Sequence, residues 1–211
     1  MVTMMREFIE KAMTFAEYSQ LIDDLLAEGK TTGPIQSDEM GRFARLNRQR
    51  MQRLDKTITL EPATRDLIAG LKVEWTWLMI TEGWCGDAAQ NLPVIEKIAA
   101  ANGGIRTRYI LRDEYPELMD QFLTNGARSI PMLIAVDAAT FEVLGTWGSR
   151  PKAAQEYFLE LKSKGMEKPE INEKMQRWYN EDKGRSLQSE FIGLTTKWST
   201  KALAKASAAV K

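Results

Sequence analysis

The stretch Val73-Glu74-Trp75-Thr76-Trp77-Leu78-Met79-Ile80-Thr81-Glu82-Gly83-Trp84-Cys85-Gly86-Asp87-Ala88 sets the fold expected of this chain. Residues 73–81 are apolar and rich in β-branched and aromatic side chains, the composition of a buried strand. Cys85 follows and opens a helical segment running to about residue 101, where Asn102-Gly103-Gly104 supplies a stop. A cysteine between a buried strand and a helix N-terminus meets partial positive charge and unpaired amide hydrogens, both of which favour its thiolate. Trp84 before it and Gly86 after it predict a tight turn that leaves the sulfur exposed.

Downstream, residues 105–111 read as a second strand and residues 116–123 as a short helix opened by Pro116. Residues 132–136 and 141–147 read as two more strands joined by a tight turn at 137–140. Residues 151–164 read as an amphipathic helix with Ala154, Tyr157, Phe158 and Leu161 inward. The order strand–helix–strand–helix–strand–strand–helix combines crossover connections with one hairpin. It predicts an α/β fold: a mixed sheet flanked by helices on both faces.

The upstream segment is helical. Phe15, Tyr18, Leu21, Ile22, Leu25 and Leu26 recur at three and four across residues 14–28, with Thr14 and Glu17 placed as a capping box and Gly29 as the stop. Residues 38–55 give a second helix, for which Met40, Phe43, Leu46, Met51 and Leu54 form the expected apolar face. Its five arginines, Arg42, Arg45, Arg48, Arg50 and Arg53, read as a solvated or docking face, with a local anion or RNA contact as the alternative. Residues 57–60 are expected to form a short strand. Residues 62–70 read as a helix with Pro62 at its first turn and Gly70 at its end. Past Gly165, residues 171–182 suggest a helix bearing Met175, Trp178 and Tyr179. Residues 199–211 suggest a frayed or disordered tail, with Lys197, Lys201 and Lys205 on one face. The expected organisation is an N-terminal helical extension (1–56), a central domain (57–165) and a C-terminal helical or partly disordered tail (166–211).

Composition narrows the chemistry. The 211 residues contain no histidine and one cysteine, Cys85. This removes serine–histidine and cysteine–histidine catalysis, most zinc sites and any internal disulfide. No metal and no cofactor are expected. Lys+Arg and Asp+Glu balance at 29 each, so no global field draws nucleic acid or an anionic membrane. Charges at Arg6, Glu7, Glu10 and Lys11 break any signal-peptide core, and no apolar run approaches a membrane span. A cytoplasmic protein is the expectation.

Trp84-Cys85-Gly86-Asp87-Ala88 resembles the Trp-Cys-Gly-Pro-Cys motif of the thioredoxin superfamily. The resemblance continues through Pro93, eight residues past the cysteine, through Asn125-Gly126-Ala127-Arg128, Ser129-Ile130-Pro131 and Gly148-Ser149-Arg150, and covers about residues 58–164. Each motif is weak alone; in order and at the right spacing they are specific together. The resemblance implies that Pro131 is cis and that Ile130 offers its backbone to an extended substrate. It implies that Cys85 attacks disulfides as the catalytic nucleophile, and that Trp84, Gly86, Asp87, Ile130 and Pro131 shape the substrate site.

The departures bear on activity. Ala88 stands where the resolving cysteine belongs, so a mixed disulfide on Cys85 needs an external thiol. Asp87 stands where proline belongs. It is placed to cap the helix, while its charge raises the Cys85 pKa against the helix dipole, with Glu82 as a further contributor. Met79 stands where many relatives carry a buried aspartate. Three readings stay open: single-cysteine thiol–disulfide exchange with a protein or a low-molecular-weight thiol, a redox-inactive protein-binding module, or an ordinary buried cysteine. The oligomeric state is open as well.

Overall fold

A computed structural model describes the backbone of residues 2–209 and the side chains of residues 2–204. Lys205 lies outside the described side chains, and Val210 and Lys211 outside the described residues. The centre is a four-stranded sheet of order β2-β1-β3-β4, with β1 at Trp75–Thr81, β2 at Ile105–Leu111, β3 at Met132–Asp137 and β4 at Val143–Gly148. β1 pairs parallel with β2 (Trp75 opposite Ile105) and antiparallel with β3 (Trp75 opposite Asp137), and β3 runs antiparallel to β4. All seven residues of β1 are buried, as its unbroken apolar run requires of a central strand. Nine helices flank the sheet among the described residues, none long and apolar enough to cross a membrane.

The N-terminal arm is part of this body. α1 (Val2–Lys11) leads to Met13, which exchanges two backbone hydrogen bonds with Tyr109 (2.8 and 2.7 Å) and so covers the outer edge of β2. α2 (Phe15–Ala27) starts at the Thr14–Glu17 capping box, both halves of which form. Tyr18 stacks on Tyr109 at 5.3 Å between ring centroids. α3 (Asp38–Thr57) is capped by Ser37 and lies along α5 (Gly86–Ala100), the crossover from β1 to β2.

Several expectations change here. The inward stripe of α3 is Gly41, Ala44, Asn47, Met51 and Leu54, while Phe43 and Leu46 are 38% and 45% exposed. Small side chains face α5 because they let the two helix axes approach; hydrophobicity alone places Met51 and Leu54 correctly but Phe43 and Leu46 wrongly. Of the five arginines, Arg48 forms a two-pronged pair with Asp23 of α2 (2.8 and 2.6 Å), a docking contact. Residues 58–60 form no strand: α3 runs on to Thr57, and the backbone beyond is satisfied by a side chain. Gln188 accepts from the Glu61 amide (2.7 Å) and donates to the Thr59 carbonyl (3.3 Å). The helix expected over 116–123 closes early as α6 (Pro116–Met119). In the β3–β4 turn, the Asp137 carboxylate accepts from the amides of Ala139 and Thr140, and β4 begins only at Val143.

α4 (Pro62–Gly70) has the expected bounds. After β4 come α7 (Lys152–Ser163), α8 (Lys168–Asp182) and α9 (Arg185–Ala209). Ala154 and Leu161 of α7 with Ile171, Met175 and Tyr179 of α8 build a small core of their own. Residues 199–209, expected as a frayed helix or disorder, continue the helix α9. Its Phe191 and Trp198 pack edge-on against Trp77 at 5.3 and 6.1 Å, inside the main core.

Candidate functional site around Cys85

Cys85 is the N-cap of α5. Its sulfur accepts from the Ala88 amide (3.4 Å), and its thiol donates to the Ile130 carbonyl (3.4 Å). The Ile130–Pro131 peptide bond is cis. The turn therefore brings Trp84, Cys85, Gly86 and Asp87 together with Ile130 and Pro131, residues separated by 45 positions at the thiol contact.

The exposed sulfur expected from the motif is not found: Cys85 is 8% exposed. Two helices from outside the motif cover the turn. Asn47 of α3, itself buried, donates to the Gly83 carbonyl (3.2 Å). From α8, Gln176 accepts from Gln90 (2.7 Å). A Cβ built on Gly86 would come within 3.9 Å of Asn47 and 3.8 Å of Gln176, so both helices reach the glycine beside the thiol. Trp84 lies under the Arg112 guanidinium, 4.8 Å from the ring centroid.

Asp87 does not cap the helix, because Cys85 already does. Its carboxylate pairs with Arg150 (2.6 Å) and accepts from the Tyr179 hydroxyl (2.8 Å), and the ion-pair side chains are only 19% and 15% exposed. A guanidinium at this range outcompetes amide hydrogens for a half-buried carboxylate. Asn91 ties the cluster by donating to the Asp87 carbonyl (2.8 Å) and to the Tyr179 oxygen (3.2 Å). Arg150 also stacks over Phe158 of α7, at 4.1 Å.

These surroundings set the thiol's chemistry. Burial pushes the Cys85 pKa up to about 12, and the negative charge of Asp87 adds to the rise. The amides of Ala88 and Asp87 and the charge of Arg150 pull the other way and lose. Glu82 is buried, and its carboxylate accepts from the Asp113 amide (3.0 Å), with burial raising its own pKa. Met79 is fully buried in the core, so no carboxyl sits behind the thiol from that position. No group of three His, Cys, Asp or Glu side chains among the described residues is placed to hold a metal ion.

Sequence reasoning missed Asn47, Arg150, Gln176 and Tyr179. Tyr179 lies 92 positions from Asp87, so no local pattern joins them. One signal was available: a carboxylate in a buried helical turn demands a cation.

No curated protein matches the chain. A crystal structure of a protein of unknown function from Pseudomonas aeruginosa is similar to it with a TM-score of 0.60 at 16% identity, over 90% of this chain and 96% of that one. An HIV epitope-scaffold structure gives a TM-score of 0.54 at 16% identity, over 87% of this chain and 98% of that one. At that identity the likeness is one of fold. The model of the thioredoxin family matches residues 33–164, from the loop before α3 to the end of α7, and the chain belongs to that family.

Proposed function

We propose that this chain is a redox-silent, thioredoxin-fold protein-binding module, in which the Cys85 turn serves as a socket for the molecule's own helices. The observation that carries this reading is the closed site. Cys85 is 8% exposed, and Asp87, at the position the family reserves for proline, is bound by Arg150 and Tyr179. A thiol held protonated and out of reach is a poor nucleophile, since the thiolate is the reacting species. The backbone edge at Ile130 is engaged as well, because its carbonyl accepts from Cys85. The outward surface suited to a partner is α3, where Phe43 and Leu46 stand exposed beside Arg42 and Arg45, a face fitted to an acidic protein.

A second reading is single-thiol exchange once α8 leaves the turn, favoured by the retained approach of the sulfur to Ile130 and the cis Pro131. The Cys85 thiolate would attack a disulfide, forming one S–S bond and expelling one thiolate. With Ala88 in place of a second cysteine, a thiolate from outside must then attack the mixed disulfide and release Cys85. Insulin reduction driven by glutathione separates the two readings. The module reading predicts equal rates with the native chain and with Cys85→Ser. A rate clearly above the variant's would support exchange and reject the module reading.

A further inference from the structure

A cleft of about 400 Å³ lies between the C-terminal half of α3, the segment after it and the α8–α9 junction, lined in part by Tyr179, whose hydroxyl binds Asp87. Leu54, Ile58 and Tyr179 give it an apolar lining, and Arg53, Lys183 and Arg185 stand at it against a single carboxylate, Glu61. None of these three cations, nor the adjacent Arg50, forms an ion pair among the described residues.

Their hydrogen bonds go to neutral acceptors. Arg53 donates to Asn180 (2.9 Å), and Arg185 to the carbonyls of Asp182 (3.0 Å) and Glu181 (2.9 Å). A guanidinium has five N–H donors, so both side chains retain donors for a ligand. The pKa of Arg50 is lowered by burial and, after it, by the charge of Arg53. Asp182 accepts from Ser186 (2.5 Å) and Asp55 faces Lys97 (3.9 Å), so neither carboxylate is paired with a cation of the cleft.

We infer that this cleft binds a small phosphate monoester with an apolar body. Three cations lining one cleft against one carboxylate match a phosphate dianion, whose oxygens take paired guanidinium hydrogen bonds. The apolar lining favours a hydrophobic group attached to that phosphate, and the volume falls within the roughly 300–1,000 Å³ of small-molecule sites. A nucleic acid would need a track of separated phosphate contacts instead of a single cluster.

Titration of the full chain with phenyl phosphate, followed calorimetrically, tests this. Saturable one-to-one binding is expected, weaker for glycerol 3-phosphate, which lacks the apolar body. Arg53→Gln and Lys183→Gln should each weaken it about tenfold. Arg53→Gln keeps a donor for Asn180, and an unchanged Tm for each variant would show that the fold is not the cause. Absence of saturable binding, or equal affinity in the Arg53→Gln/Lys183→Gln double variant, would overturn the assignment.

Discussion

Cys85 receives the amide hydrogens a helix N-terminus offers, yet its thiol stays protonated because burial and the Asp87 carboxylate outweigh them. This has a consequence for stability. An unfolded chain releases the thiol proton above a pKa of about 8.5, whereas the folded chain holds it to about 12. The unfolded state therefore binds fewer protons in that window, so the stabilisation is full below about pH 8.5 and is lost as pH rises toward the folded pKa. Above pH ~9 the native chain should lose about 1.4 kcal/mol per pH unit more than Cys85→Ala, in urea titrations at stepped pH. Parallel curves would show that the thiol is not held this way. The sign of the Asp87 effect was legible in the motif, because a like charge opposes thiolate formation. Burial was not, since the covering groups, Asn47 and Gln176, come from helices distant in sequence on either side.

At the scale of the element, α8 is the part that closes the site. It docks through Tyr179 on Asp87 and Gln176 on Gln90, while its apolar side joins α7 in a separate small core. Tyr179→Phe keeps the ring in that core and removes the hydroxyl's bonds to Asp87 and Asn91. The substitution should cost about 1–2 kcal/mol and raise amide hydrogen exchange within α8 before other helices. Unchanged exchange there would mean that the hydroxyl does not hold the helix. Periodicity located α2, α4 and α5 closely because caps and stops agreed with the apolar stripe. It located α3 with Met51 and Leu54 inward but misplaced Phe43 and Leu46, since Gly41, Ala44 and Asn47 were selected by closeness to α5 and not by hydrophobicity. Residues 58–60 have strand-like composition, and only Gln188, far along the chain, shows why no sheet is needed there.

For the whole molecule, α9 binds the C-terminal segment into the sheet's core. Trp198 is 2% exposed and contacts Trp75, Trp77 and Phe191. It lies so close to β4 that a Cβ on Gly145 would fall 2.1 Å from the indole nitrogen. Trp198→Ala should cost about 3–5 kcal/mol in chemical denaturation; a loss under 1 kcal/mol would place the helix outside the cooperative unit. The α/β order was legible from residue 73 to 164 because strands, helix stops and motifs follow one another there. The C-terminal segment was legible only in part: the helix expected over 171–182 is found within α8, but Leu187, Phe191, Leu194 and Trp198, which keep a helical spacing, were not read as a core-facing stripe because the alanines and lysines that follow dominate the composition.

The central claim, that Cys85 is silent in the folded protein, is tested most directly by its rate of alkylation with iodoacetamide against pH, native against urea-unfolded. With a single cysteine in the chain, the profile reports one site. The closed site predicts a native rate far below the unfolded one, with no inflection below about pH 9. A fast native reaction with a midpoint well below ~8.5 would contradict it and show an activated, accessible thiolate.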